Sequence, residues 1–145
     1  MKLVKLLFFC IYSFVGFSQH LVINEFVASN ESSLQDEDGD YPDWIELYNS
    51  SNSQIDLAGY FLSDDLNNPK KWILPSVLIE AKKFLIVFAS GKDKVENEIH
   101  TNFKIKSEGE HLILSNSAEN IIDSVSPVNL EEDQSYGRYE DGENN

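Results

Sequence analysis

Cysteine is nearly missing from this chain: Cys10 is the only one in 145 residues, and it lies in an apolar leader. Once the leader is lost, the rest can form no disulfide and offers no thiol nucleophile or thiolate metal ligand. Long apolar runs are missing too, since after residue 18 no stretch approaches the roughly 20 residues that a membrane-spanning helix needs. His20, His100 and His111 show neither HxH nor HExxH spacing, which argues against a zinc hydrolase of the familiar patterns. There is no GxSxG elbow, no GxGxxG and no GxxxxGK[ST] phosphate loop. Asp43 and Glu46 could pair for acid–base work only from the same face, and odd and even positions of a strand face opposite ways. The expectation is a protein that is not an enzyme.

Positive charge is the other scarcity. Eleven Lys and Arg stand against 25 Asp and Glu, for a net charge of −14, and loss of Lys2 and Lys5 with the leader leaves −16. So acidic a chain repels polyanions, so no nucleic acid is expected as a partner; it suits solubility, cations or a basic partner. Eight of the nine remaining basic residues lie between Lys70 and Lys106, against only Glu80, Asp93, Glu96 and Glu98. That middle reads either as a local basic patch or as a solvated face.

What is present begins with the leader. "MKLVKLLFFCIYSFVGFS" has a positive start at Lys2 and Lys5, an apolar run from Leu6 to Val15, and small residues Gly16 and Ser18 before Gln19. This is the pattern of a cleavable secretory signal peptide over residues 1–18. It predicts a protein secreted or placed at the cell surface, with one domain over residues 19–142 and a frayed tail over 143–145. At about 127 residues the remainder is long enough for one core, not two.

That remainder reads as short strands separated by turn-forming clusters. "LVINEFVAS" (21–29) and "DWIELYN" (43–49) alternate, the latter placing Ile45 and Leu47 opposite Trp44, Glu46 and Tyr48. Segments 55–64, 70–75, 84–90, 101–105, 111–116 and 120–125 continue the series, and Ser135 to Tyr139 is expected to dock as a last strand. "FLIVFA" is almost wholly apolar and is expected as a central strand covered on both faces. No 3.6-residue period persists for three turns, so seven or eight strands at this spacing predict an all-β, antiparallel β-sandwich or barrel.

The acidic run "DEDGDYPD" ahead of the second strand has two readings. Asp36, Asp38, Asp40 and Asp43, with Gly39 permitting a tight turn, are candidate ligands of a hard cation such as calcium. Yet the run departs from the EF-hand loop: counted from Asp36, the glycine is fourth, not sixth, and the twelfth residue is Leu47, not glutamate. The other reading is a solvated loop feeding the strand, with Pro42 holding Tyr41 extended. Trp44 and Trp72 are likewise either sheet packing or a sugar-stacking platform.

The ordered set of segments resembles the lamin tail domain as it occurs in secreted bacterial proteins. "LVINEFVASN" and "DEDGDYPDWIELYNSSNSQIDLAGYFLSDD" open it, and "KWILP", "FLIVFASGKD", "HTNFKIKSEGEHLILSN", "IIDSVS" and "DQSYGRYEDG" follow in order, covering about residues 20 to 142. The resemblance implies an immunoglobulin-like β-sandwich and a non-catalytic interaction module. Such a module is usually part of a larger secreted protein and binds a protein partner or a cell-surface component. The residues that match its motifs are Asn24, Glu25, Trp44, Glu46, Tyr48, Asn49, Gly59, Trp72, Gly109 and Glu110. They are expected to be structural, Asn49 as an Asx turn and Gly59 and Gly109 as turn glycines, while carboxylates at 25 and 46 are unusual inside strands. Two rivals to this reading stand: a calcium-binding sandwich whose loop 36–43 orders with metal, and a carbohydrate-binding accessory domain using Trp44 and Trp72.

Overall fold

The computed structural model describes residues 20–143; the expected leader at 1–18 and the last two residues of the expected frayed tail lie outside the described residues. Ten strands run in chain order: β1 (Leu21–Val27), β2 (Asp43–Asn49), β3 (Ile55–Asp56), β4 (Phe61–Ser63), β5 (Trp72–Ile73), β6 (Leu78–Ile79), β7 (Phe84–Ala89), β8 (Leu112–Ser115), β9 (Ile121–Val125) and β10 (Ser135–Gly137). One four-stranded sheet has the order β10-β1-β2-β7 and the other β5-β4-β8-β9, with a small β3-β6 ribbon, and every strand pair is antiparallel. Inward side chains of both sheets, among them Ile23, Ile45, Leu47, Val87, Leu62, Leu112 and Leu114, form one core. This is the immunoglobulin-like sandwich that the alternation in β2 foreshadows: Ile45 and Leu47 are fully buried, while Trp44, Glu46 and Tyr48 on the opposite face stay half-buried. Among the described residues there is no helix long and apolar enough to cross a membrane.

Four details differ from the expectation. Segment 55–64 is two strands in different sheets, because the chain turns at Leu57–Tyr60, where Gly59 takes φ +78° and the Tyr60 N–H donates to the Leu57 carbonyl. Segment 101–105 is no strand: it makes one isolated bridge, from Lys104 to Ser90 just past the end of β7. β7 is an edge strand rather than a central one. Its second half is buried because the segment after Gly91 folds back over it: Phe88 N–H donates to the Ile99 carbonyl, and Thr101 N–H donates to the Phe88 carbonyl. Its apolar run therefore reflects a loop lying on an edge, not neighbours on both sides. Finally, β10 ends at Gly137, and Tyr139 is 95% exposed.

One irregularity organises the open end of the first sheet. The β1–β2 register shifts between Ile23 and Glu25, leaving Asn24 as a bulge. The bulge faces Asp141 and Gly142. Asn24 Nδ2 donates to Glu46 Oε1 and to Asp141 Oδ1, both at 2.9 Å, and Gly142 N–H donates to Asn24 Oδ1. Residues 141 and 142 are thus held on the sheet.

Candidate functional site

The acidic run folds around its own first aspartate. Asp36 Oδ1 accepts the N–H groups of Asp38 (3.0 Å) and Asp40 (2.9 Å), while Gly39 N–H donates to the Asp36 carbonyl. This turn aims three carboxylates at one point, and oxygens of Asp36, Asp38 and Asp40 come within 4.8 Å of one another. The point holds a cation that belongs to the chain. Lys92 Nζ lies 2.6 Å from Asp36 Oδ2, 2.8 Å from Asp38 Oδ2 and 2.9 Å from Asp40 Oδ2. The Asp36 side chain is fully buried. Burial pushes its carboxyl pKa up, but the Lys92 ammonium and the backbone N–H donors outweigh that and hold it below the usual aspartate value. Asp38 is lowered by the Lys92 hydrogen bond, and the lysine is raised in turn, first by Asp36 and then by Asp38.

Asp43 stands apart from this group. It opens β2, and its Oδ1 accepts the Asn30 N–H at 3.2 Å. Burial raises its pKa. Asn30 itself, a residue that sequence reasoning passed over, spends its whole side-chain amide on the loop: Oδ1 accepts from Ser33 and Leu34, and Nδ2 donates to the carbonyls of Leu34 and Pro42. Asp133 performs the same service from the C-terminal side, accepting the N–H groups of Glu31 and Ser32 and the Ser32 hydroxyl. The loop is therefore ordered by side chains before any ligand is considered.

Lys92 was not singled out in the sequence. The signal was charge arithmetic: an acidic loop and the one lysine-rich stretch of a small acidic domain attract each other. Lys94 makes the same crossing to Glu37, and Lys70, Lys71 and Lys106 pair with Glu119, Asp64 and Glu110. The basic middle is thus largely consumed inside the molecule. Arg138 and Asp123, also unremarked, form a pair with side chains only 10% and 9% exposed. Asp123 Oδ2 accepts both the Arg138 guanidinium (2.8 Å) and the Ile23 N–H (2.7 Å), and Arg138 Nε donates to the Ile23 carbonyl. The two charged groups take the backbone N–H and C=O of Ile23, just beyond the point where β10 stops pairing with β1.

A family model described as Lamin Tail Domain matches residues 18–129. The chain belongs to the lamin tail domain family. No curated protein matches it. Lamin tail domains are non-catalytic immunoglobulin-like domains, and this lamin tail domain has the corresponding sandwich.

The motif positions occupy structural places in this lamin tail domain. Asn24 and Glu46 form the clamp on the tail, and Tyr48 stacks on Phe84 at 4.5 Å between centroids. Glu25 lies opposite Glu46 on one side and Gly137 on the other. Asn49 is fully buried: Nδ2 donates to the carbonyls of Ser53, Ile79 and Glu80, and Oδ1 accepts the Ser51 N–H, so one side chain ties β2 to the β6 region. Gly109 takes φ +96°, and a Cβ there would lie 2.8 Å from the Val128 carbonyl oxygen. Glu110 accepts the backbone N–H and the ammonium of Lys106. The two tryptophans are separated between the sheets. Trp72 is 4% exposed with its Nε1 donating to Asp93 at 2.9 Å, whereas Trp44 is half-buried on the outer face of the first sheet. The rival reading, a sugar-stacking platform of Trp44 and Trp72, does not form, because one of the rings belongs to the core.

Proposed function

We propose that this lamin tail domain is an exported interaction module without catalytic activity of its own, which binds a protein or cell-surface component bearing basic groups. The observation that carries the reading is the destination of the lysines. Lys70, Lys71, Lys92, Lys94 and Lys106 are engaged by the chain's own carboxylates, so the net charge, −16 once Lys2 and Lys5 leave with the leader, is left to act outward without a large compensating basic patch among the described residues. An acidic, rigid sandwich steers toward a basic surface and away from polyanions. The apolar leader at residues 1–18 supports export.

The test uses the labelled protein and the cells that produce it. Saturable binding at low salt that falls steeply at about 0.5 M NaCl, where the Debye length shrinks to a few ångström, supports the reading. Binding that is absent, or that does not change with salt, refutes the electrostatic recognition. Recovery of a form beginning at Gln19 from the medium or the cell surface tests export, and retention of Met1 in the cytoplasm refutes it.

The calcium reading of loop 36–43 has the convergence of Asp36, Asp38 and Asp40 in its favour. A calcium ion would enter there by displacing Lys92 Nζ from the three carboxylates. The variant that tests this is described in the Discussion.

A further inference from the structure

His100 is wholly buried, yet its Nε2 has no hydrogen-bond partner among the described residues. A buried polar atom left unmatched costs roughly 1–3 kcal/mol, so such atoms call for an explanation. The ring cannot swing to find a partner. Nδ1 is 3.0 Å from Ser90 Oγ, the ring stacks on Phe88 at 5.2 Å, and the backbone is locked to Lys94 by a two-way bridge. Nε2 is therefore aimed in one direction. That direction leads to Glu98 Oε2, 3.7 Å away and beyond hydrogen-bonding reach, and to Glu37; ligand atoms of the three residues lie within 4.8 Å of one another.

We propose that Glu37, Glu98 and His100 form a binding site for a divalent transition-metal ion of the zinc class. Two ligand atoms each about 2.0–2.2 Å from a tetrahedral zinc stand roughly 3.3–3.5 Å apart. The Nε2–Oε2 separation of 3.7 Å is close to that already. Imidazole nitrogen selects zinc, cobalt, nickel or copper over calcium, which prefers oxygen alone. The surroundings are those of a metal-bound histidine: the nitrogen not facing the site is engaged by Ser90 Oγ, which fixes the ring, and the Glu37 N–H donates to Glu98 Oε2 at 2.7 Å, which fixes the carboxylate. The ion enters from solvent past the two glutamates, whose side chains are 24% and 33% exposed. A fourth position, open on that side, takes water. The site is distinct from the Asp36, Asp38 and Asp40 cluster, although neighbouring residues of one loop contribute to both. Lys94, on Glu37 Oε1, is the competitor that metal must move aside or share the carboxylate with. Binding would tie loop 36–40 to the segment that covers β7.

Cobalt(II) serves as the probe because its visible d–d absorption reports on the ligands. We expect one equivalent to give a saturable band that zinc displaces, and zinc to raise the melting temperature measured in chelator. Glu98→Gln, at a partly exposed position, should melt in chelator as the parent does and bind cobalt about tenfold or more weakly. Lys94→Gln should bind more tightly, an effect that a merely structural histidine would not produce. His100→Gln should abolish the band, and the two other variants keep the test readable should it fail to fold. The proposal is overturned by the lack of a band up to about 1 mM cobalt, far above the affinity range of built transition-metal sites. It is equally overturned by a band that survives both Glu98→Gln and Glu37→Gln, or by one lost only in Asp38→Asn and Asp40→Asn.

Discussion

Asp123→Ala is the sharpest perturbation of the seam between the two sheets. The substitution removes the carboxylate that accepts the Arg138 guanidinium and the Ile23 N–H at 2.8 and 2.7 Å. Both partners stay in place, the guanidinium at 10% exposure and the amide at a point of β1 that β10, pairing only with Glu25, Phe26 and Val27, does not reach. Removing one member of a buried pair costs about 3–5 kcal/mol, and the orphaned amide accounts for roughly 1–3 kcal/mol of that. Arg138 keeps the Ile23 and Glu143 carbonyls as acceptors, which places the expected loss toward the lower end. For a domain of about 125 residues, each kcal/mol moves the melting temperature by roughly 3–5 °C, so a drop of about 10 °C or more is expected. Urea melts of Asp123→Ala, Arg138→Ala and the double variant complete a cycle whose coupling should lie near the upper end of roughly 0.5–3 kcal/mol. The Ile23 amide should also lose protection from hydrogen exchange. A cost below about 1 kcal/mol for Asp123→Ala, or a coupling near zero, refutes the claim that this pair closes the seam.

Three further outcomes follow from other parts of the molecule. Burial raises the Glu46 pKa above its ordinary value, so the folded state binds the proton more readily than the unfolded state, and ionised Glu46 costs stability at neutral pH that is recovered as pH falls through its folded pKa. Glu46→Gln should therefore melt higher than the parent at pH 7 and lose that advantage near pH 4; an equal gain at both values refutes the assignment. Lys92→Met leaves Asp36, Asp38 and Asp40 facing one another without their ammonium. It should melt lower in chelator and recover in about 10 mM calcium, the weak end of extracellular calcium sites, whereas the parent should shift less; a larger calcium shift in the parent shows that the lysine does not stand in for the ion. Gly109→Ala forces a Cβ against the Val128 carbonyl oxygen at φ +96° and should lower stability by more than about 1 kcal/mol in a urea melt. A neutral result means that segment 128–130 shifts freely.

The sandwich was legible because its signals are local. Strict alternation in β2 acts within a few residues and depends on backbone geometry that any neighbour must respect. The misread elements share one property, which is that distant chain decides them. β7 is apolar enough for a central strand, yet its cover is a loop some ten residues downstream. Segment 55–64 has strand composition throughout, but its halves are drawn to β6 and β8, in different sheets. The site followed the same rule. Asp36, Asp38 and Asp40 are visible as a spacing, whereas their partner Lys92 is 56 residues from Asp36. Glu37 lies 61 residues from Glu98, and only the fold puts His100 beside both. Asp43 illustrates the converse. Adjacency in sequence suggested a fourth ligand, but as the first residue of β2 it faces Asn30 instead.

The clamp at Asn24 has a mechanical consequence. It holds Gly142 close against Tyr48 and Ser50, and Ser50 in turn donates its N–H to the His20 carbonyl at 2.7 Å. Both ends of the described chain therefore meet at the same corner of the sandwich. A tether pulling on the two ends would not shear the strands lengthwise, which would load many hydrogen bonds at once. It would peel them apart one bond at a time, starting with the contacts of His20, Gly142 and Glu143. Such a domain yields early under tension applied through its own ends, while a load borne by a partner on a sheet face would leave that corner unstressed.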